Sequence, residues 1–331
     1  TGNVGIPGGG FGPRHGSGAH GRGLGSIIEP ERRKSAQSIP NQMSAVTAAL
    51  RDGQIETLLL MGTNMLSSYA DAGEVAQGLE KTKLVVSYDL FLNDTARRFA
   101  DVVLPSTAWL EELGCKMTHT HLYLMEQVLE PPGETRSLYS VITELADRLG
   151  LDGFNPWPSE EAMINAVLDH RCTGHATVAA LRAEGGIRAL NISHVANPTL
   201  DFETPSRKIE FLSDQANSLG LPSLPICTAS TTSASDTQTY SLALTQGRTM
   251  AHFHGFYNNG QVLPMLAKRE TEPTLWISPG DAETRNVGDG ASIRIFNQRG
   301  ELTARAHVTE KIPAGTVWMR DGWPGLNTLT S

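Results

Sequence analysis

Three short apolar segments, each running directly into a polar turn, constrain the fold of this chain more than any other feature of its sequence. They occupy residues 58–64, 84–89 and 100–106, and residues 71–81 have apolar side chains at helical spacing. This alternation predicts an α/β fold with a mostly parallel, doubly wound sheet. The strand ends carry Gly, Thr, Asn, Asp and Ser. Open parallel sheets bind nucleotides at this edge, so we expect a nucleotide site there.

Composition and charge exclude several classes of protein. The 331 residues include 39% hydrophobic residues, which is enough for two or more buried cores. The net charge of −8 argues against a nucleic-acid-binding surface, because such a surface needs clustered Lys and Arg. No apolar run approaches the roughly 20 residues of a transmembrane helix. We therefore expect neither nucleic-acid binding nor direct membrane insertion.

The three cysteines, Cys115, Cys172 and Cys227, lie far apart in the sequence. They form no Cys-x-x-Cys pair and no Cys/His cluster, which are the patterns of zinc and iron–sulfur ligands. The sequence therefore predicts no metal ligand in this chain.

Glycine dominates the first part of the chain. Residues 1–25 contain 11 glycines together with Arg14 and His20, and glycine destabilises both helices and strands. The segment is either a linker or a loop that lets backbone approach a ligand closely, and its Arg and His residues favour the loop. A Gly-x-Gly-x-x-Gly spacing at residues 16–21 does not indicate an NAD-type dehydrogenase, because no strand precedes it and no helical pattern follows.

The rest of the chain has a helical part and a β-rich part. We predict helices at residues 42–53, 137–149 and 159–170, the last with Ser159 as its N-cap. Residues 108–132 show no clear pattern. Short β-prone runs separated by turns follow near the carboxyl end, at residues 240–245, 274–277, 291–296, 302–308 and 316–319. These runs predict a small β-barrel.

Several motifs, taken in their order and spacing, resemble the carboxy-terminal part of a molybdopterin oxidoreductase of the dimethyl-sulfoxide-reductase superfamily. This superfamily includes formate dehydrogenases, nitrate reductases and thiosulfate reductases. The motifs lie at residues 1–10, 62–64, 88–96, 100–111, 131–134, 204–210, 245–248 and 286–290. The resemblance covers nearly the whole chain and implies that it comes from a longer protein.

The resemblance implies four regions. Residues 1–41 would be a Gly-rich loop ending an upstream cofactor domain, and residues 42–222 an α/β dinucleotide-binding domain with a helical return. Residues 223–239 would be a linker, and residues 240–331 a truncated double-psi-like β-barrel that binds the molybdopterin dinucleotide.

The cofactor implied by the resemblance is bis(molybdopterin guanine dinucleotide) molybdenum, with one dinucleotide half at the carboxyl edge of the sheet. A pyrophosphate needs backbone donors near glycine turns, and guanine or ribose needs a carboxylate. We therefore assign dinucleotide contacts to Gly62, Thr63, Asn64 and Asp89. The alternative is that Thr63 and Asn64 cap the next helix and that Asp89 caps its own turn.

In the barrel, the resemblance implies cofactor contacts at Thr245, Gly247 and Arg248, whose planar guanidinium matches a phosphate. His252 and His254 follow, and each is equally consistent with packing or with contact to the pterin. Asn327 resembles a late asparagine that touches the cofactor.

Arg14 resembles an arginine that faces the molybdenum pocket in formate dehydrogenases, and we assign it a catalytic role. Here the family's asparagine-rich continuation is replaced by His-Gly-Ser-Gly-Ala-His at residues 15–20, so the substrate stays unspecified.

The family's molybdenum ligand and [4Fe–4S] cysteines lie upstream of the matching region. Cys115 is expected to be a packed thiol and not the metal ligand.

The function implied is two-electron oxo or hydride transfer on a small substrate, in an enzyme related to those of anaerobic respiration. Electrons would pass to the upstream iron–sulfur centre and to electron-transfer subunits, and this chain alone would not turn over. The alternative is a non-catalytic scaffold subunit of a redox complex. The compartment is cytoplasmic or periplasmic, since the twin-arginine signal that decides it would lie upstream.

Overall fold

A computed structural model describes residues 42–192, 201–226 and 239–330, with gaps at residues 119, 152, 203, 225, 253 and 256–261. Contacts between residues divide the chain into two units. Residues 38–106 and 231–331 belong to one unit, and residues 107–230 belong to the other. Arg14 and the glycine-rich segment lie outside the described residues. The predicted limits of the four regions stay a prediction.

The first unit begins with three parallel strands and the helices between them. In chain order these are α1 (Met43–Arg51), β1 (Thr57–Met61), α2 (Met65–Ser68), α3 (Ala72–Leu79), β2 (Leu84–Asp89), α4 (Asp94–Phe99) and β3 (Val102–Pro105). The sheet order is β1-β2-β3, and Leu59 lies opposite Val86, which lies opposite Val102. The predicted parallel sheet is confirmed.

One face of this sheet packs against helices α1 and α3. Leu50 of α1 and Val75 of α3 are fully buried against Leu60 and Val85 of the strands, and each such side chain stabilises the fold by about 1.5–3 kcal/mol. On the other face Leu59 stays exposed. Among the described residues the strand order shows no reversal, so double winding belongs to the proposals below.

The same unit ends in a five-stranded mixed sheet. Its elements are β7 (Ala243–Gly247), α9 (Pro264–Ala267), β8 (Thr274–Ile277), α10 (Pro279–Glu283), β9 (Ser292–Phe296), β10 (Glu301–Val308), β11 (Thr316–Arg320) and a 3₁₀ helix (Leu326–Thr328). The strand order is β7-β11-β8-β10-β9, with β7/β11 and β8/β10 parallel. All five predicted strands are present. Across the described residues the edge strands β7 and β9 are not paired, so closure into a barrel is not established.

The second unit is largely helical around a small antiparallel sheet. It comprises β4 (Gly114–Met117), β5 (His121–Met125), α5 (Leu138–Arg148), α6 (Glu160–Leu168), a 3₁₀ helix (Arg171–Thr173), α7 (Val178–Ala183), β6 (Ile187–Ala189) and α8 (Asp214–Ser218). The predicted helices are confirmed, and the Ser159 hydroxyl caps α6 by accepting from Ala162 N at 3.1 Å. The β4–β5 hairpin lies in residues 108–132, where no clear sequence pattern predicts an element.

None of the helices in the described ranges combines the length and the apolar character that a membrane span requires.

Candidate functional site

The first group of predicted site residues lies where β1 and β2 end, and we call Gly62, Thr63, Asn64 and Asp89 the sheet-edge group. Gly62 follows β1 with a φ of 59°, a left-handed conformation that a Cβ disfavours. Its N–H donates to Tyr88 O at 2.8 Å. Gly62 therefore shapes the turn and ties it to the neighbouring strand.

Asn64 stands at the N-cap position of α2, but its side chain does not accept a helix N–H. That role belongs to Thr95, whose hydroxyl accepts from Leu66 N at 3.0 Å and donates to Asn64 Oδ1 at 2.7 Å. Thr95 is fully buried. The Asn64 amide also donates to Ser67 Oγ at 3.1 Å. In the alternative interpretation Asn64 caps α2. In the structure the side chain that caps α2 is Thr95 of α4.

The Asp89 carboxylate folds back on its own turn, as the alternative interpretation expects. Its Oδ1 accepts from Leu90 N at 2.7 Å and from Phe91 N at 3.4 Å, and its Oδ2 accepts from Asn93 Nδ2 at 2.9 Å. Contact between Asp89 and the dinucleotide stays a prediction.

Asn93 joins the two turns of the sheet-edge group. Its Nδ2 lies 3.4 Å from Thr63 O as well as near Asp89, and its Oδ1 caps α4 by accepting from Ala96 N at 3.0 Å. We assigned Asn93 no role from the sequence. The signal that could have found it is its N-cap position before a short helix.

Asn327 reaches the sheet-edge group from the carboxyl end of the chain. Its Nδ2 donates to Ser67 O of α2 at 2.7 Å, and nearby Asp71 N donates to Thr330 O at 3.2 Å. The structure therefore brings Asn327 against the helix that Asn64 begins. Its predicted cofactor contact stays a prediction.

The second group of predicted residues follows β7. The Thr245 hydroxyl donates to Val317 O at 3.1 Å. Gly247 lies against the indole of Trp318, where a Cβ would approach Nε1 to 2.8 Å. Gly247 is also in register with Arg320 of β11. Only glycine allows this close approach of β7 to Trp318.

Arg248 and His254 contact each other in the loop after β7, and both are exposed. Arg248 Nη2 lies 3.1 Å from His254 Nε2. The other ring nitrogen of His254, Nδ1, lies 2.9 Å from Asp321 Oδ2. A carboxylate, an imidazole and a guanidinium thus stand in a row, and the guanidinium is at the exposed end.

Charges are buried beneath this row. Arg320 is 2% exposed, its Nε lies 2.7 Å from Glu270 Oε2, and its guanidinium stacks on Trp323 at 4.2 Å from the ring centre. Burial lowers the pKa of Arg320, while Glu270 and Asp321 oppose that shift. We call Arg248, His252, His254, Glu270, Arg320 and Asp321 the arginine group. We assigned no role from the sequence to three members of this group, Glu270, Arg320 and Asp321. The signal that could have found Arg320 is an arginine at the end of an apolar strand.

His252 is the most buried histidine of the arginine group, at 3% exposure. Burial is the main cause that lowers its pKa, Arg320 lowers it further, and Glu270 acts in the opposite direction. Its Nε2 is buried and has no hydrogen-bond partner among the residues that the structure describes. His252 is therefore held neutral beside two charged side chains.

Family comparisons match both parts of the first unit. A family model described as molybdopterin oxidoreductase matches residues 1–148, and one described as molybdopterin dinucleotide binding domain matches residues 242–331. The chain belongs to the molybdopterin oxidoreductases. Within them it falls in the dimethyl sulfoxide reductase superfamily, with formate dehydrogenase, nitrate reductase and dimethyl sulfoxide reductase as homologues.

Individual relatives of this molybdopterin oxidoreductase chain include a probable oxidoreductase, YoaE, from Bacillus subtilis, which is 31% identical over 82% of the chain and 39% of the relative. The alpha subunit of F420-dependent formate dehydrogenase from Methanocaldococcus jannaschii is 30% identical over 80% and 38%. The solved structure of acetylene hydratase from Pelobacter acetylenicus has a TM-score of 0.72 at 25% identity, over 85% of this chain and 39% of that one. The chain spans about two fifths of the length of these relatives.

No cluster of three or more His, Cys, Asp or Glu that could hold a metal ion occurs among the residues for which the structure gives positions. Cys115 packs against the core of the second unit, next to Leu113 and Met117, and burial raises the pKa of its thiol. A thiol with a raised pKa yields little thiolate, the form that binds metals. The prediction of a packed thiol at Cys115 is confirmed.

Proposed function

We propose that this chain forms part of the cradle for bis(molybdopterin guanine dinucleotide) molybdenum in an oxidoreductase. The whole protein would carry out two-electron oxo or hydride transfer on a small substrate, passing electrons to a [4Fe–4S] centre and electron-transfer subunits outside this chain. The observation that carries the proposal is the exposed Arg248 guanidinium, held by His254 in the region matched by the dinucleotide binding domain.

The described residues fit such a cofactor in two respects. Buried polar atoms are nearly always hydrogen-bonded, yet the described part of the chain offers no partner to the buried Nε2 of His252. The β7 strand meets the loop at Gly247, whose missing Cβ leaves the backbone close to Trp318. An orphaned ring nitrogen and a tightly packed glycine beside an exposed arginine suit a cradle for a polar, charged ligand.

Arg248 would bind a phosphate of the dinucleotide. Its guanidinium presents five N–H donors in a planar fork that matches phosphate oxygens, and it is always charged. One of these donors, at Nη2, donates a hydrogen bond to His254 Nε2. Thr245 and His252 would flank the same part of the cofactor, and His254 would orient the arginine.

The sheet-edge group would receive one guanosine half. Asp89 accepts three hydrogen bonds from its own turn, but a carboxylate offers about four lone-pair sites. One site is left for an N–H of guanine or a hydroxyl of ribose. Gly62 shapes the turn, while Thr63, Asn64 and Asn327 would line the space beside α2.

The bound cofactor would supply the redox chemistry, while the protein binds and orients it. Arg14, which lies outside the described residues, is proposed to face the molybdenum pocket. The relatives include a formate dehydrogenase subunit and an acetylene hydratase, and these names indicate different substrates. The substrate of the whole protein is therefore proposed only as a small molecule.

Two finer features of the fold belong to the same proposal. Parallel sheets are normally covered on both faces, and one face of the β1-β2-β3 sheet exposes Leu59, Met61 and Val102. This supports a doubly wound sheet with a further layer.

At the mixed sheet, the Tyr240 ring before β7 contacts Phe296 of β9 with centroids 6.1 Å apart. This contact between the two edges supports a double-psi-like barrel.

The test is anaerobic purification of the full-length protein that contains this chain, followed by metal analysis and by measurement of guanine released by acid hydrolysis. We expect molybdenum and guanine together, with two guanines for each molybdenum atom. A full-length protein free of both would overturn the proposal and would favour the non-catalytic scaffold.

A further inference from the structure

His254 stands between the carboxylate of Asp321 and the guanidinium of Arg248. Asp321 Oδ2 lies 2.9 Å from Nδ1 of the ring, and Arg248 Nη2 lies 3.1 Å from Nε2. Asp321 Oδ1 also accepts from the backbone N of His254 at 2.8 Å. Asp321 therefore holds His254 at two atoms, one of the main chain and one of the ring.

These contacts determine where the ring proton is. The guanidinium of Arg248 is only a donor and is always charged, so Nε2 of His254 must accept. The Nδ1 atom then carries the proton and donates it to the Asp321 carboxylate. His254 is therefore neutral in the Nδ1–H form in this geometry, and its Nε2 lone pair points at Arg248.

The main chain of His254 is held by contacts with the end of β11 and the residues after it. His254 has a φ of 50°, and Arg320 Nη1 donates to its carbonyl at 3.2 Å. Gly322 packs so closely that a Cβ there would lie 2.0 Å from the same carbonyl. Arg320, the last residue of β11, and the two residues that follow it thus all contact His254.

We propose that Asp321 is a positioning residue for the cofactor phosphate. By holding the proton on Nδ1 of His254, it keeps Nε2 available as an acceptor, and this acceptor aims Arg248. The inference rests on the proposed function, in which Arg248 binds a phosphate of the dinucleotide. Asp321 itself touches neither the cofactor nor the substrate in this scheme.

The test is ¹⁵N solid-state NMR of the full 331-residue chain labelled at histidine, with the His254 signals identified by their loss in His254→Gln. We expect a protonated Nδ1 and an unprotonated Nε2 in the unmodified chain. In Asp321→Asn the side chain keeps its shape but can turn an amide donor toward Nδ1, so we expect the proton to move to Nε2. A protonated Nε2 in the unmodified chain, or an unchanged ring in Asp321→Asn, would overturn the inference.

The matched control is Asp289→Asn, because Asp289 lies 3.6 Å from His307 Nδ1 in the same unit without touching the arginine group. It should leave the His254 signals unchanged. In the full-length protein, Asp321→Asn should lower guanine retention about threefold to tenfold, the loss expected for one hydrogen bond, and Asp289→Asn should not lower it. Equal retention in the two variants would also overturn the inference.

The two readouts separate this inference from the proposed function. If the full-length protein holds no guanine while the ring proton moves as expected, the proposed function fails and Asp321 positions no phosphate ligand. If guanine is present and the ring proton stays in place in Asp321→Asn, the inference alone fails.

Discussion

The sheet-edge group and the arginine group both lie in the unit that contains residues 38–106 and 231–331, but they use polar side chains differently. In the sheet-edge group, Asn64 and Asp89 form hydrogen bonds with the neutral side chains of Thr95 and Asn93. The buried Thr95 hydroxyl joins Asn64 to the start of α2. In the arginine group, the buried Arg320 pairs with the partly buried Glu270 beneath an exposed arginine.

The sheet-edge group and the arginine group therefore prepare the surface for a ligand in two different ways. The sheet edge fixes its backbone with hydrogen bonds that are individually worth about 0.5–1.5 kcal/mol. The arginine group buries charges, and removing one partner from a buried pair costs several times more. We expect the sheet edge to determine shape and the arginine group to provide charge recognition.

Arg320→Met should give the largest loss of stability. It removes the cation that pairs with Glu270 and the donor that Arg320 gives to the His254 carbonyl, so we expect the free energy of unfolding to fall by about 3–5 kcal/mol. Urea denaturation measures it. The matched control is Arg305→Met, because Arg305 pairs with Glu272 while both side chains are nearly half exposed; its loss should be much smaller. Similar losses in the two variants would show that burial does not set the cost.

Gly322→Ala should come next. The new Cβ would meet the His254 carbonyl, and Gly322 has a φ of 79°, so we expect a loss of about 3 kcal/mol from backbone strain and overpacking together. Gly325→Ala has nearly the same φ, 82°, but its Cβ would meet only Leu302 Cδ1, at 3.4 Å. It should lose only about 1 kcal/mol. Thermal denaturation of the two variants side by side isolates the contact with His254.

Thr95→Val tests the sheet-edge group with a change that keeps the side-chain volume. It removes the hydroxyl that accepts from Leu66 N and donates to Asn64, and a buried donor left unpaired costs about 1–3 kcal/mol. Hydrogen exchange at the Leu66 amide should accelerate. Thr95→Ser retains the hydroxyl and should protect this amide; if serine exchanges as fast as valine, the hydroxyl is not what holds α2.

The smallest expected effect is a pH dependence caused by His252. Because burial and Arg320 lower its folded pKa from 6.5, the unfolded chain binds the proton more readily. The free energy of unfolding should therefore fall as the pH drops below 6.5, by at most about 1.4 kcal/mol per pH unit. His252→Phe should remove this part of the slope. Denaturant titrations from neutral to mildly acid pH measure it, and identical slopes in both proteins would contradict it.

Much of the fold could be predicted because its signals are local. The run at residues 274–277 lies between two prolines and matches β8 at both ends. The β4–β5 hairpin could not be predicted, because Gly114–Met117 lacks a clear alternation of apolar and polar residues. The β4 strand is stabilised by pairing with β5. No local pattern in the sequence encodes this pairing.

The site could be predicted less fully, because several of its contacts join distant parts of the chain. Arg248 stood out for its phosphate-binding chemistry. Thr95 contacts Asn64, 31 residues away, and Asp321 contacts His254, 67 residues away. A sequence shows which side chains can form such contacts, but folding determines which of them meet.

Guanine content of an Arg248→Ala variant decides whether the arginine group recognises the dinucleotide. The full-length variant should retain guanine roughly tenfold to a hundredfold less well than the unmodified protein, because a charge-assisted hydrogen bond to phosphate is worth about 1.5–3 kcal/mol. The matched control is Arg294→Ala, which removes an exposed arginine that pairs with Glu301 in the same unit and should retain guanine fully. Equal guanine content in the two variants would contradict a phosphate-binding role for Arg248.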